Sequence, residues 1–242
     1  MNLILLFDDD FISDRRVRLT GRRHRHIYEI HKPVLGETLK VGLLNGKMGQ
    51  GVVTGISDET VDMAVVLDYD PPQPLEATLM IAMHRPIVLK RVLYTAAMMG
   101  VKKIIVFHSY RVEKSFWNSS LLKNEEWKDQ LILGLEQACD TVMPEVIFQR
   151  KFKPFFEDEV PSLIRGTTAL VAHPGGKLFC PSTLSVPLTI AVGPEGGFID
   201  YEVDLLKKIG FMPIGLGPRI LRVETAVPVL LGGILCGNFI GH

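Results

Sequence analysis

The chain has 242 residues, of which 47% are hydrophobic and 22% charged, so it is long enough for one large or two small domains with a real core. This composition excludes a disordered protein, and 27 Lys and Arg residues against 27 Asp and Glu residues give a formal net charge of zero. No global field draws the protein toward nucleic acid or a membrane, so any such attraction has to be local.

The cysteines and the apolar runs indicate a cytoplasmic protein that does not enter a membrane. Cys139, Cys180 and Cys236 are isolated and lack C-x-x-C spacing, which favours a reducing compartment over a disulfide framework or a zinc site. The stretch MNLILLFDDD is too short in apolar length and too acidic for a signal peptide. The most apolar stretch, VPVLLGGILCGNFIG, is too short to span a membrane and predicts a buried or interface helix.

Residues 1–70 predict a small β-barrel domain. Short β-prone runs at TLKVGLL and QGVVTGI are separated by Asn45-Gly46, a hairpin signal that calls for positive φ at both central positions. A third strand follows at TVDMAVVL, and no helical spacer separates these runs. The proline-rich stretch DYDPPQPLE, residues 68–76, then predicts a stiff connector and a domain boundary near residue 70.

Residues 71–242 predict a second domain in which strands and helices alternate. The strand-like runs are ATLMIAM, KKIIVF, EVIF, TALVAH, LTIAV and FMPIGL. Helices are predicted at PIVLKRVLYTAAMM, from Pro86 to a stop at Gly100, at NEEWKDQLILGLEQAC, at the interrupted PFFEDEVPSLI, and at DYEVDLLKKI with Asp200 as N-cap. Apolar strands that alternate with helices indicate an α/β fold with a mostly parallel sheet covered on both faces.

Three glycine- and proline-rich loops follow predicted strands of this second domain: AHPGG (172–176), VGPEGG (192–197) and GLGPRILRVETA (215–226). Ligands of parallel sheets bind outside the carboxyl ends of the strands, and glycine lets the backbone approach a ligand closely. Three such loops at one edge favour a cofactor site over ordinary turns. GLGPRI matches only half of the dinucleotide fingerprint and follows a late strand, which disfavours a Rossmann-like metabolic enzyme. Walker A, G-x-S-x-G and H-E-x-x-H sequences do not occur.

The stretch VGPEGGFIDYEVDLLKKIGFMPIGLGPRILRVETA resembles the C-terminal signature of the SPOUT class of ribosomal RNA methyltransferases. Within that class it is most similar to the RsmE family, which methylates N3 of a uridine in small-subunit ribosomal RNA. LVAHPGG is similar to the family's first cofactor loop, and LGETLKVGLLNGKMGQGVVTGI resembles part of its PUA-like RNA-binding domain.

The resemblance implies a PUA-like β-barrel over residues 1–70 and a SPOUT α/β domain with a trefoil knot over residues 71–242. It also implies S-adenosyl-L-methionine as cofactor, a homodimer with the site near its interface, and ribosomal RNA or the small ribosomal subunit as partner. No metal is implied.

Carried over residue by residue, the resemblance implies a cofactor pocket formed by His173, Gly193, Glu195, Gly196, Leu216, Gly217, Arg219, Ile220 and Leu221. Main-chain groups near Leu216 and Leu221 would read the adenine edge, while Glu195 would bind ribose hydroxyls or cap the following helix. Arg219 and Arg222 would hold the cofactor carboxylate or an RNA phosphate, since a guanidinium forks onto either group.

The implied reaction needs a proton acceptor. Uracil N3 carries a proton and is a poor nucleophile until that proton leaves, and a group that stabilises the O2/O4 enolate would help. Glu224 is the candidate base and Arg222 the candidate stabiliser, with orientation of Arg222 as the alternative role of Glu224.

A basic strip in the N-terminal region, RRVRLTGRRHRHIYEIHK, is the candidate RNA contact. It holds seven cations between residues 15 and 32 against one acid, Glu29, and such a strip suits phosphates unless it is simply a solvated helix face. The cations are Arg15, Arg16, Arg18, Arg22, Arg23, Arg25 and Lys32. His24, His26 and His31 lack a nearby cysteine or a further acid that would complete a metal shell.

Several positions outside the cofactor loops depart from the family's usual pattern. Leu5 stands where an Arg is usual. The helix before Gly100 usually carries a Lys and ends in Glu-Leu, but here it contains Thr95 and Met98. After Glu136-Gln137 the family often has an Arg, whereas this chain has Asp140. Retained cofactor loops with changed RNA-facing positions are typical of a divergent paralogue. The alternative function is therefore a catalytically inactive or retargeted RNA-binding member.

Overall fold

The computed structural model describes residues 2–174, 176, 178–179 and 187–239, with only the backbone described at 178, 179 and 234–239. The strands are, in chain order, β1 (Ile4–Leu6), β2 (Phe11–Ser13), β3 (Arg16–Leu19), β4 (Thr38–Leu43), β5 (Met48–Ile56), β6 (Val61–Tyr69), β7 (Leu75–Ala82), β8 (Val101–Phe107), β9 (Glu145–Gln149), β10 (Thr168–Ala172), β11 (Leu178–Phe179), β12 (Leu188–Val192) and β13 (Met212–Gly215). The helices are α1 (Gly21–His26), α2 (Pro86–Met98), α3 (Ser120–Lys123), α4 (Trp127–Ala138), α5 (Phe152–Pro154), α6 (Val160–Leu163), α7 (Asp200–Lys208) and α8 (Val223–Phe239).

The chain divides into two compact units. Met1–Gln73 and Ile132–Met143 form the first unit, and Pro74–Leu131 and Pro144–His242 form the second. The sequence assigns all of residues 71–242 to the second domain, whereas the structure joins Ile132–Met143 to the first unit.

The first unit is built on a sheet with strand order β1-β4-β5-β6-β3-β2. Its ladders are antiparallel except for β1 and β4, which run parallel. Alternate residues point into a core, as at Val17 and Leu19 of β3, which are fully buried between exposed arginines. The ladders in the described residues leave β1 and β2 as the two ends of the sheet, so they do not close the barrel that the sequence predicts.

The β4–β5 hairpin is confirmed, but its predicted two-residue turn is wrong. The Gly46 amide donates to the Leu43 carbonyl at 2.8 Å, and positive φ occurs at Asn45 (58°) and not at Gly46. Asn45 is held by the non-helical segment that follows α4 in the same unit. Its side-chain oxygen accepts from the Met143 amide and its amide donates to the Thr141 carbonyl, both at 2.8 Å. These contacts fix a wider turn than the dipeptide alone predicts.

The second unit contains a sheet with strand order β11-β13-β10-β12-β7-β8-β9. Every ladder in the described residues is parallel, which confirms the α/β fold with a mostly parallel sheet. β12 is buried at all five positions and pairs in register with β7, Leu188 opposite Ala77. Such continuous apolar runs are expected where helices cover both faces of a sheet.

Two helices of this unit lead into the site. α2 begins at Pro86, and the positive φ of Gly100 (82°) prevents the helix from continuing, as the sequence predicts. α7 begins one residue earlier than predicted, because Ile199 and not Asp200 is its N-cap. The carboxylate of Glu202, only 2% exposed, accepts from the Ile199 amide at 3.1 Å. The capping role considered for Glu195 therefore belongs to Glu202.

α8 begins at Val223, ahead of the apolar stretch that predicts it, and packs against α2. Its buried residues Ala226, Val227, Leu230 and Leu231 form one face. Within the described ranges, we find no helix whose length and apolarity would carry it across a membrane.

Candidate active site

The three glycine-rich loops meet at one edge of the parallel sheet. They follow β10, β12 and β13, which are adjacent in the strand order, so their carboxyl ends lie side by side. Together they border a cavity of about 790 Å³. The predicted convergence of these loops is confirmed, and the cavity volume falls in the range of small-molecule and cofactor sites.

All eleven residues predicted for cofactor binding and catalysis lie on this cavity. They are His173, Gly193, Glu195, Gly196, Leu216, Gly217, Arg219, Ile220, Leu221, Arg222 and Glu224. Their exposure differs widely, from the buried Gly193 to Ile220, which is 87% exposed. The structure brings the predicted residues together, while the role of each one stays a prediction.

Three arginines that sequence reasoning missed also border the cavity. Arg85 Nε lies 3.5 Å from Glu195 Oε2, and Arg111 donates to the Gly196 carbonyl. Arg91 Nη1 lies 3.7 Å from Glu224 Oε1. These arginines follow β7 and β8, whose carboxyl ends reach the same edge because β7 pairs with β12. That topological rule is the signal that would have found them.

Glu224 is paired with Arg91, which revises the alternatives drawn from the sequence. Its side chain is 21% exposed and lies in the first turn of α8, where the helix dipole favours a carboxylate. Arg222, the predicted partner, directly precedes α8 and is exposed, and its carbonyl accepts from the Thr225 and Ala226 amides. A cation therefore stands beside Glu224, but it comes from α2.

His84 is a buried histidine in the loop between β7 and α2. It is 1% exposed, its Nδ1 lies 2.5 Å from the Ala82 carbonyl, and within the described residues its Nε2 has no hydrogen-bond partner. Since a carbonyl only accepts, Nδ1 carries the proton and Nε2 presents a lone pair. Burial lowers the pKa of His84 by disfavouring the charged ring. Through its hydrogen bond to the Ala82 carbonyl, the neutral ring of His84 fixes the backbone just before Arg85.

In the first unit, the basic strip separates into exposed cations and cations that hold the fold. Arg15, Arg16, Arg25 and Lys32 are exposed. The other three are paired: Arg18 forks onto Asp62, Arg22 onto Glu136 and Arg23 onto Asp10. Arg18 and Arg22 remain about half exposed, whereas only 14% of the Arg23 side chain is exposed. Arg23 is therefore a structural residue, which the composition of the strip did not reveal.

Comparison with known proteins places these features in a family. The sequence profile described as RNA methyltransferase domain matches residues 71–235, which is more than half of the chain.

The chain belongs to the RNA methyltransferase domain family.

Curated relatives match nearly the whole length of the chain. Ribosomal RNA small subunit methyltransferase E of Treponema pallidum is 28% identical over 93% of this chain and 87% of that protein. Ribosomal RNA small subunit methyltransferase E 1 of Borreliella burgdorferi is 27% identical over 93% of this chain and 94% of that protein. The similarity therefore includes the first unit as well as the family domain.

Solved structures of methyltransferases share the fold. The Ribosomal RNA small subunit methyltransferase E of Neisseria gonorrhoeae, bound to S-adenosyl methionine, has a TM-score of 0.72 at 20% identity, covering 96% of this chain and 95% of that one. A Legionella pneumophila protein in complex with the bound cofactor SAM has a TM-score of 0.75 at 23% identity, with the same coverage.

In this RNA methyltransferase domain, close packing leaves room only for a glycine at position 193. A Cβ there would lie 2.9 Å from Phe198 Cδ2, and Phe198 is itself stacked on Phe107 with their ring centroids 6.2 Å apart. At Gly217, by contrast, a Cβ would meet no atom of the described residues within 4 Å, but the φ of 97° is a conformation that side-chain-bearing residues rarely adopt. Close packing and backbone conformation thus keep two of the loops bare.

We expect Gly193→Ala to weaken ligand binding in the cavity. The added methyl group would displace the Phe198 ring and with it the Gly193–Phe198 loop, at a cost of about 1–3 kcal/mol in unfolding free energy. Gly232→Ala in α8 is the control, because among the described residues a Cβ at Gly232 meets nothing within 4 Å, and helix propensity should raise its stability by up to about 1 kcal/mol. Thermal unfolding and cofactor titration check both. A Gly193→Ala variant as stable as the parent would contradict this packing constraint.

Proposed function

We propose that the protein transfers a methyl group from S-adenosyl-L-methionine to ribosomal RNA, at N3 of a uridine of the small subunit. The observation that carries this proposal is the meeting of all eleven signature residues on one cavity of about 790 Å³. The relatives from Treponema and Borreliella are named as ribosomal RNA small subunit methyltransferases, and these names support small-subunit ribosomal RNA as the substrate of this chain. The uridine N3 position rests on the resemblance of the GPEGG and LGPRILRVETA stretches to the RsmE family.

The cavity offers the groups that the cofactor needs. Glycine-containing main chain at residues 193–197 and 216–217 would approach the nucleoside, and the carboxylate of Glu195 would accept from ribose hydroxyls. Arg85 or Arg219 would bind its carboxylate. When bound, the cofactor supplies an electrophilic methyl group on a sulfonium. The neighbours from Neisseria and Legionella, which were solved with this cofactor, support its assignment to this chain.

The acid–base chemistry falls to Glu224 and its partner. Glu224 would accept the N3 proton, and Arg91, 3.7 Å away, would stabilise the negative charge that develops on the ring oxygens. We assign Arg222 to the RNA or the cofactor carboxylate, because it is exposed and lies beside the same loop. The proposed base is thus held by an ion pair before substrate arrives.

The finer features of the fold belong to the same proposal. We assign the first unit a PUA-like RNA-binding role, and the second unit a SPOUT fold in which the C-terminal segment threads through a loop and forms a trefoil knot. We also propose a homodimer, supported by the apolar helix α8, on which Val229 is 48% exposed. Isolated cysteines and a ribosomal substrate support action in the cytoplasm.

A methyl-transfer assay tests the function directly. Ribosomal RNA and small subunits from a strain that lacks the gene would be incubated with labelled S-adenosyl-L-methionine, and the modified nucleoside would be mapped by mass spectrometry. We expect one N3-methyluridine in small-subunit RNA. Methylation of another base would identify a retargeted paralogue. Cofactor binding without transfer to either substrate would identify an inactive RNA-binding member and reject the proposed activity.

The exposed part of the basic strip is expected to contact RNA phosphates. Replacing Arg16, Arg25 and Lys32 with Ala should weaken RNA binding and lower the slope of log affinity against log salt by about 2, since each phosphate contact contributes about 0.7 on single-stranded RNA. Filter binding across a salt series measures this slope. The matched control replaces Lys123, Lys151 and Lys153, three exposed cations of the second unit outside the strip. Identical slopes for the strip variant and the parent would exclude the strip from the RNA contact.

A further inference from the structure

A second cleft, of about 420 Å³, runs along one face of α2. Its α2 residues recur at the spacing of a single helical face, and Gln130 of α4 and Glu224 of α8 complete its lining. The α2 residues are Ile87, Lys90, Arg91, Tyr94 and Thr95. We call it the α2 cleft. It shares Ile87, Arg91 and Glu224 with the larger cavity, so the two spaces adjoin at the proposed base.

Each of the two cations that line the α2 cleft has a carboxylate partner. Lys90 Nζ lies 2.8 Å from Glu126 Oε2, and Arg91 Nη1 lies 3.7 Å from Glu224 Oε1. The hydrogen bond from Lys90 lowers the pKa of Glu126, so this carboxylate stays ionised beside the lysine. A phosphate entering the cleft would have to displace a carboxylate from its cation. A neutral ligand would leave both ion pairs in place, so the electrostatics favour a neutral ligand.

The remaining groups suit a flat heterocycle. Tyr94 offers a half-buried aromatic ring, Gln130 an amide that both donates and accepts, and Thr95 a hydroxyl. A nucleobase is neutral, has a face that stacks on aromatic rings and has edges that hydrogen-bond to amides. The cleft therefore carries the chemistry of single-base recognition.

We propose that the α2 cleft receives the unstacked target base of the RNA, an inference that rests on the proposed methyl transfer. The base stacks against Tyr94, and the amide of Gln130 donates to a ring carbonyl while N3 faces the junction with the larger cavity. Glu224 takes the proton that leaves N3, and the methyl group bonds to N3 as its bond to sulfur breaks. The products are the N-methylated base, a neutral thioether and a protonated Glu224. An enzyme that modifies a base must take it out of the stack, and this cleft gives it a place to go.

The experiment compares Gln130→Ala and Tyr94→Leu with Tyr201→Leu, a tyrosine exposed on α7 and outside both cavities. For each protein, cofactor affinity is measured by calorimetry and kcat/KM for RNA by methyl incorporation. Loss of one base-stacking contact should lower kcat/KM about tenfold or more in Tyr94→Leu. Gln130→Ala should lower it by a similar factor. Cofactor affinity should stay within about twofold in both variants, and Tyr201→Leu should match the parent. Tyr94→Phe, which keeps the ring, should retain most activity and guards against loss through misfolding.

A crosslinking experiment reads the same contact directly. RNA that carries 4-thiouridine at the methylated position, irradiated with the cofactor-loaded protein, should attach to peptides from α2 or from α4 around Gln130. If the RNA attaches elsewhere, or if kcat/KM is unchanged in Gln130→Ala and Tyr94→Leu while the parent is active, the α2 cleft does not bind the target base. The proposed methyl transfer would still stand. A change of oligomeric state in these variants without loss of activity would assign the cleft to a second copy of the chain. A parent that binds cofactor but methylates nothing would reject the proposed function together with the cleft.

Discussion

Glu224→Gln should lower kcat for RNA methylation by about 10²- to 10⁴-fold, the usual contribution of a positioned general base. Glutamine has the size of glutamate and keeps its hydrogen-bonding oxygen, but it does not take up a proton at neutral pH. The side chain is 21% exposed and contacts the cavity, the α2 cleft and Arg91, so the change removes a proton acceptor without opening a hole. Single-turnover methylation with saturating RNA measures the effect.

Glu195→Gln is the matched control for this experiment. Glu195 is the other carboxylate on the cavity that faces an arginine, with Arg85 Nε 3.5 Å from its Oε2. Because we assign it to the cofactor, its loss should weaken cofactor binding and leave single-turnover rates at saturation nearly unchanged. Full activity in Glu224→Gln would remove Glu224 as the base. A large fall in the Glu195→Gln rate at saturation would transfer that role to Glu195.

Stability separates a chemical role of Glu224 from a structural one. In the first turn of α8, its charge interacts with the helix dipole, which is worth about 0.3–1 kcal/mol at an exposed site. Glu224→Gln removes this interaction and the ion pair with Arg91, and should therefore reduce the unfolding free energy by no more than about 2 kcal/mol. An activity loss accompanied by a much larger loss of stability would mean that Glu224 holds α8 in place.

The sequence could predict the cofactor loops because their residues are contiguous and follow strands. A parallel sheet brings carboxyl ends of neighbouring strands to one edge, so Gly193, Glu195 and Glu224 were expected to meet, and they do. Arg85, Arg91 and Arg111 were missed because each comes from a distant strand or helix and carries no local motif. Only the strand order, with β7 next to β12, shows that they reach the same edge.

The sequence could not predict which residues that are far apart in the chain contact each other. The amphipathic pattern of α4 predicts a buried face, but not that Leu135 packs with Leu3, Leu5 and Met48 of the first unit. For the same reason, the turn at Asn45 was predicted too tight, since the Thr141 and Met143 contacts that widen it come from about 100 residues away. Charge composition located the basic strip, yet it did not show which cations already have carboxylate partners.

Arg23 gives the sharpest test of that last point, because Arg23→Ala should destabilise the first unit by about 3–5 kcal/mol. Its guanidinium forks onto Asp10 at 2.5 and 2.7 Å, donates to the Leu5 carbonyl at 2.8 Å and lies 4.5 Å from the centre of the Phe7 ring. Asp10 is itself buried, so removal of the arginine leaves a carboxylate whose described donor is then the Phe7 amide.

Chemical denaturation followed by circular dichroism measures the loss, and amide exchange over β3–β6 assigns it to the first unit. Arg25→Ala, two residues away and exposed, is the control and should change the unfolding free energy by less than about 0.5 kcal/mol. Arg23→Lys should recover only part of the stability, since an ammonium does not reproduce the fork onto Asp10. If Arg23→Ala instead kept full stability and weakened RNA binding as strongly as the exposed cations do, Arg23 would belong to the RNA contact and its ion pair would be incidental to the fold.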